Sequence, residues 1–452
     1  MKKILTLTIA AIFISCSLKL REAQIELPSE YIYSDGFYNS NTPINEKWWQ
    51  NFCDPTLDEL VEKALSNNRD LAATAASVEA SRHYLRVARA EFLPSLDFDA
   101  IAELTHEDQT TVQEYTLAPT LSWEVSLFGE LRNTKKSAAA SLLQEEWSYQ
   151  DVQLSLSAEV ATSYFTLLQY QRSLYIATRS YELRRIATAL VDSMYSYGMS
   201  SGTDLMQAKS LVYTAKAEME KYQRAVATTS LSLGTLLGET PQRVDWSENG
   251  KALITDEHPI NIPIGLPSSL LERRPDVIKS YFAMAEAAAE VGISRANRYP
   301  SISLTGSGGV FAYSLKDLTS GDPLLWSATG ELIAPIFSWG SLRRKELIAR
   351  EKYEASIYNY EQSIIEALSE VESALITINT YSDQAAASTA LVLANTKIVE
   401  NTSAMYKSGL GDYLSVIDAE RELYSSQISL VELVAQQYIN YINLYKTLGG
   451  GW

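Results

Sequence analysis

Residues Tyr406–Arg421 read YKSGLGDYLSVIDAER, and Tyr195–Ser210 read YSYGMSSGTDLMQAKS. In each stretch glycines interrupt what is otherwise one long helical pattern: Gly409 and Gly411 in the former, Gly198 and Gly202 in the latter. Glycine enters left-handed backbone at little cost, so these stretches read as a helix end followed by a reversal. Gly198 and Gly409 lie 211 residues apart, and that spacing invites a search for a repeat.

The repeat covers most of the chain. Asp70 of NNRDL and Asp276 of ERRPDV are 206 apart, as are Pro94 of ARAEFLPSLDF and Pro300 of SRANRYPSISL. Beyond the prolines the spacing becomes 211, in Gly129 of SLFGELR and Gly340 of FSWGSLR, and in Gly238 of LLGET and Gly449 of TLGGG. One insertion of five residues between proline and glycine accounts for the change, and loops are where insertions are tolerated.

Between proline and glycine the pattern has period two. Tyr115, Leu117, Pro119, Leu121, Trp123, Val125 and Leu127 alternate with Thr116, Thr120, Ser122, Glu124 and Ser126. Residues 95–104 alternate likewise, as do 301–305 and 326–336 in the second repeat. These are strands with one apolar and one polar face, of the length a membrane β-barrel uses. A soluble antiparallel sheet with one face on a core shows the same alternation.

After Gly129 and Gly340, residues 130–197 and 341–408 contain neither Pro nor Gly. As one helix, each stretch would run about 100 Å, at roughly 1.5 Å per residue, far beyond an ordinary globular helix. Ile357, Ile364, Val371 and Ile378 recur every seven residues, with Leu368 and Leu375 four after their neighbours, as in a coiled-coil seam. Return helices are expected over about 203–237 and 414–448. An isolated coiled-coil rod explains the helices but leaves the four strands idle. Four strands cannot close a membrane barrel, because open edges in lipid leave backbone groups unpaired. A membrane reading therefore requires several copies of the chain in one barrel.

The formal charge of −17, with no basic cluster, excludes a nucleic-acid partner. Lys2 and Lys3 followed by the apolar run Ile4–Ile14 form an export signal over residues 1–15. Ser15–Cys16 then resembles a lipoprotein cleavage site, although Phe13 stands where Leu is commoner. The alternatives are an ordinary signal with a downstream thiol, or a disulfide between Cys16 and Cys53, the only other cysteine. His83, His106 and His258 have no ligand spacing, and TGSGGVF at 305–311 is neither a P-loop nor a nucleophile elbow. Arg273 and Arg274 before Pro275 read as helix-entry charges with Asp276 as the cap. No catalysis, cofactor or metal is expected.

Five stretches in order, WWQNFCDPTLDELVEKALSNNRDL (48–71), GLPSSLLERRPDV (265–277), ANRYPSISLTGSGG (296–309), APIFSWGSLRR (334–344) and SGLGDYLSVIDAER (408–421), resemble the outer-membrane factor family of tripartite efflux systems, of TolC/OprM type, and its NodT-like lipoprotein branch. The resemblance covers nearly all of the chain beyond the export signal. It implies a mainly α fold with membrane β: a tandem-repeat protomer giving four strands to a shared twelve-stranded outer-membrane barrel and long helices to a periplasmic α-barrel. It divides the chain into a signal peptide (1–15), an extended lipid-anchored segment (16–56), a first repeat (57–238), an equatorial linker (239–264), a second repeat (265–449) and a tail (450–452).

The implied function is a trimeric exit duct in the outer membrane, with a periplasmic adaptor (a membrane fusion protein), an inner-membrane transporter of RND type and outer-membrane lipid as partners. The glycine turns then stand at the periplasmic end. Gly198, Met199, Ser200, Gly202, Gly409, Leu410 and Gly411 would meet the adaptor, with the glycines supplying backbone freedom. The family places acidic rings at this aperture. Asp418 occupies one such position, while the other is Ser415, a departure for which Asp412 or Asp204 could compensate. Asp204 and Asp412 read equally well as helix caps. The other functional class is a periplasmic adaptor or structural protein built on helical hairpins. The substrate is not legible.

Overall fold

The computed structural model describes residues 20–25, 27–34, 47–107, 110–241, 264, 267–319 and 324–450. Cys16, the export signal, His258 and nearly all of the expected linker lie outside them. The chain forms two compact units. One gathers Met1–Ile25, Ala75–Ser148 and Asp276–Ser363, the other Glu26–Thr74, Tyr149–Pro275 and Ile364–Trp452.

The elements run α1 (Pro55–Asn67), α2 (Arg69–Ala90), β1 (Ser95–Glu107), β2 (Thr110–Val125), α3 (Glu130–Ser196), α4 (Gly202–Leu236), α5 (Leu270–Arg273), α6 (Pro275–Ala296), β3 (Ser301–Ala312), β4 (Leu324–Ile333), α7 (Ser341–Lys407) and α8 (Tyr413–Thr447). The repeat is visible in the boundaries. Shifting α2 by 206 gives α6, and shifting α3 and α4 by 211 gives α7 and α8, at both ends of each helix. The segment expected to be extended over 16–56 contains a 3-10 helix, Trp48–Phe52, whose rings bury themselves in the second unit: Trp48 stacks on Tyr445 at 5.3 Å. Apolar burial of that size outweighs the extended preference of a linker.

In the first unit the four strands form one antiparallel sheet in the order β1-β2-β3-β4. Ser95 faces Ser122 in the first hairpin, and Ser301 faces Ile333 in the second. The shifts are thus 206 for β1 to β3 and 211 for β2 to β4, which puts the five-residue insertion in the connection between β3 and β4. Gly309 is required where it stands, since an added Cβ would come within 2.0 Å of the Leu117 carbonyl oxygen. Both outer strands expose their side chains, with Leu96 at 71% and Leu332 at 64%. Below the sheet Val291 of α6 packs against Ala349, Tyr353 and Ile357 of α7.

In the second unit the seven-residue seam is buried as read: Ile364, Val371, Leu375 and Ile378 are all in the core. Leu368 is only half-buried, and Ala367 takes the fully buried place beside it. A small residue there lets neighbouring backbones approach.

The candidate aperture at the hairpin turns

Each turn begins where a 67-residue helix ends. Gly198 and Gly409 adopt left-handed backbone, with φ of 72° and 70°. The Gly198 N–H donates to the Tyr195 carbonyl at 2.9 Å, and the Met199 N–H to the Met194 carbonyl at 2.8 Å. Gly409 and Leu410 repeat this on Tyr406 and Met405, at 3.0 and 2.9 Å. This is the Schellman pattern, which satisfies carbonyls that a helix end leaves orphaned. Gly202 and Gly411 do not supply left-handed freedom, contrary to the sequence reading. Only positive-φ positions need glycine in that sense, and neither is one. Gly202 is the first residue of α4, and a Cβ at Gly411 would crowd the Met405 Cβ at 3.3 Å.

The return helices start from caps whose residues are exchanged between the repeats. In α4, Ser201 is the N-cap and Asp204 its partner three residues on. The Asp204 N–H donates to Ser201 Oγ at 3.0 Å, and the Ser201 N–H donates to Asp204 Oδ2 at 3.1 Å. In α8, Asp412 is the N-cap and Ser415 the partner. The Ser415 N–H donates to Asp412 Oδ1 at 3.4 Å, and its hydroxyl donates to the same oxygen. The donated hydrogen bonds, from Ser201 and Ser415, hold both carboxyls below the usual carboxylate range. Ser415, the repeat mate of Asp204, is therefore the hydroxyl half of an inverted pair, and Asp412, the repeat mate of Ser201, is its carboxylate half. Asp418 is exposed and meets Arg421 at 3.6 Å on its own helix.

The exposed turn surface is apolar: Tyr197 is 81% exposed, Met199 72% and Leu410 77%. Behind it, the Tyr406 and Tyr413 rings lie 5.2 Å apart, and Tyr413 packs on the cluster of Val191, Leu205 and Ala208. The turns are thus packed at their base and bare at their crown.

One polar group escaped the sequence reading. Arg184 of α3 is 7% exposed and donates to the Leu211 carbonyl of α4 at 3.5 Å. Its repeat mate Asn395 donates to the equivalent carbonyl, Glu422, at 3.4 Å, and to Ser426 Oγ at 3.1 Å. Burial pushes Arg184 below its usual range and the nearby Glu420 above its own, with their attraction opposing burial in both. The signal was present: Arg184 sits seven residues from each of Ala177 and Val191, both buried, and so falls on the seam.

The far ends of the hairpins carry a second matched joint. The Asn68 side chain donates to the Leu236 carbonyl at 2.9 Å and accepts from the N–H groups of Asp70 and Leu71 at 3.0 Å. Its mate Arg274 donates to the equivalent carbonyl, Thr447, at 3.2 Å, and pairs with Glu370 at 2.8 Å. Arg274 stands at the entry of α6 as read, and the structure adds that it is a buried tie. The joint recruits it because a helix-end carbonyl needs a donor. Asp276 lies inside the first turn of α6 rather than at the cap.

Residues 60–239 and 266–450 match the outer membrane efflux protein family. The solvent efflux pump outer membrane protein SrpC of Pseudomonas putida is 33% identical over 409 residues, covering 89% of this chain and 86% of its own. The cation efflux system protein CusC of Escherichia coli O6:H1 is 28% identical over 460 residues, covering 100% of this chain and 99% of its own. The solved structure of the outer-membrane channel OprN superposes with a TM-score of 0.85 at 26% identity, over 97% of this chain and all of that one.

Proposed function

The chain belongs to the outer membrane efflux protein family and is an outer-membrane efflux channel, and we propose that three copies close one barrel to form the exit duct of a tripartite pump. The observation that carries the assembly is the sheet. Among the described residues its outer strands β1 and β4 each pair on one side only, and open edges are not tolerated in lipid. A periplasmic adaptor and an inner-membrane transporter, of RND type, deliver the cargo. Cys16 carries the lipid anchor.

The bare crown of each turn, Gly198–Ser200 with Gly202 and Gly409–Gly411, is the adaptor contact. Asp204 and Asp412 fix the turns, Ser415 completes the second cap, and Asp418 supplies the aperture carboxylate, which threefold symmetry makes a ring. The channel performs no catalysis: it bounds a path and gates it. Its cargo is set upstream, since SrpC is named for solvents and CusC for cations at comparable distance from this chain.

Fractionation followed by planar-bilayer recording tests the reading. The expected outcome is recovery with outer membranes as a detergent-requiring trimer that gives discrete conductance steps. Recovery as a water-soluble single chain would overturn it.

A further inference from the structure

We propose that neighbouring copies join β4 of one to β1 of the next in one fixed register, with Leu332 opposite Ala100, Glu331 opposite Ile101 and Ile336 opposite Leu96. This rests on the shared-barrel reading and specifies its seam. The argument uses the internal repeat as a template. Inside one chain, the first repeat joins the second where β2 pairs with β3, with Leu121 opposite Gly306, Thr120 opposite Ser307 and Val125 opposite Ile302. The strand pairings fix the equivalences: β2 moved forward by 211 is β4, and β3 moved back by 206 is β1. The seam inside the chain then becomes the seam between chains, and Leu121 opposite Gly306 becomes Leu332 opposite Ala100.

Two further observations agree. The last residues of β2, Trp123–Val125, pair with β3 alone, because β1 begins at Ser95 opposite Ser122. Their equivalents, residues 334–336, follow the end of β4 at Ile333 and, among the described residues, have no strand beside them in one chain. The neighbour's β1 restores that missing partner. Second, side chains covered at the inner seam are bare at the outer one. Phe128 stacks on Tyr299 at 4.7 Å with an interplanar angle of 15°, and both are only part-exposed or nearly so, Tyr299 at 37%. The equivalents of that pair are Trp339 and Leu93, which are 87% and 68% exposed. Val125 is half-buried where its equivalent Ile336 is 96% exposed, and Leu96, which the register sets against it, is 71% exposed. Each bare residue on one edge thus meets a bare residue on the other. A slip of one residue would turn every side chain to the wrong face. A slip of two would part Trp339 from Leu93 by about 7 Å, at roughly 3.4 Å per residue.

Disulfide trapping tests the register in the full-length chain carrying Cys53→Ser. The double variant Ala100→Cys/Leu332→Cys is oxidised in native outer membranes, with Phe98→Cys/Leu332→Cys and Ala102→Cys/Leu332→Cys as slipped pairs and each single variant as a control. Within one chain positions 100 and 332 lie on opposite edges of the sheet, at least three strand spacings or ~14 Å apart and further offset along the strands, beyond disulfide reach. A bond must therefore link two chains. The expected result is a covalent trimer for the 100/332 pair, reverting to monomer with reductant, and at least tenfold less product for either slipped pair. Conductance of each variant under reducing conditions shows that it has assembled. Bonding in a slipped pair, or in none of the three while the chain purifies as a trimer, overturns the register and leaves the shared barrel standing. A single-chain species in all of them overturns the barrel reading beneath it.

Discussion

Ser201 and Asp204 in the first turn, and Asp412 and Ser415 in the second, do the same work with the roles exchanged. A hydroxyl and a carboxylate three residues apart can each serve as cap, since both accept a backbone N–H. Ser415→Asp alone would set two carboxylates against each other at the start of α8, and it is expected to loosen that turn. Adding Asp412→Ser rebuilds the arrangement of the first repeat and should restore it. Amide hydrogen exchange over residues 409–416 checks both, and equal exchange in the single and double variants would contradict the pairing. The same carboxylates set an acid response. Their folded values are depressed from an ordinary 3.8. Their contribution is therefore complete above that value and is lost as pH falls through the folded value. Protection factors at both turns, with the intrinsic pH dependence of exchange divided out, are expected to stay flat from pH 7 to pH 5 and to fall only below about pH 4.

At the scale of elements, each hairpin is pinned at three matched places: the glycine turn, the Arg184 or Asn395 link, and the Asn68 or Arg274 joint. The glycines of the outer two differ in what surrounds them. At Gly198 and Gly409 an added Cβ meets nothing within 4 Å, whereas at Gly238 and Gly449 it would lie 2.4 Å from the Asn67 carbonyl oxygen and 2.7 Å from that of Arg273. All four have positive φ. Alanine at the turns should therefore cost only the left-handed penalty, about 1–2 kcal/mol. At the joints it must also displace backbone and should cost clearly more. Protease resistance of the four single variants gives the ranking, and turn variants as fragile as joint variants would refute it.

At the scale of the whole molecule, symmetry turns single residues into rings. Among the described residues Asp418 pairs with Arg421, an exposed pair at 3.6 Å that solvent screens to little net worth. In the proposed aperture its consequence would come from threefold repetition. Asp418→Ala is expected to raise the conductance of the resting channel and to weaken its preference for cations. Unchanged conductance and reversal potential would remove Asp418 from the aperture. The same arithmetic explains why one copy cannot close a barrel: four strands pair at three seams internally and leave two edges for neighbours.

The sequence by itself determined the tandem repeat, the two long helices with their glycine turns and the alternating strands, and it tied any membrane reading of those strands to several copies. Each of these is written in spacing along one chain, and spacing survives whatever the fold does around it. Only the tertiary structure decided which polar residues were structural. Arg274 read as a helix-entry charge, and only the fold showed that the Thr447 carbonyl, 173 positions away, needs it. Arg184 lay on an apolar seam that its charge disguised. Ser415 looked like a lost carboxylate until its hydroxyl was found on Asp412. A buried donor or acceptor is defined by the partner that satisfies it, and that partner is a matter of packing between helices rather than of order along the chain.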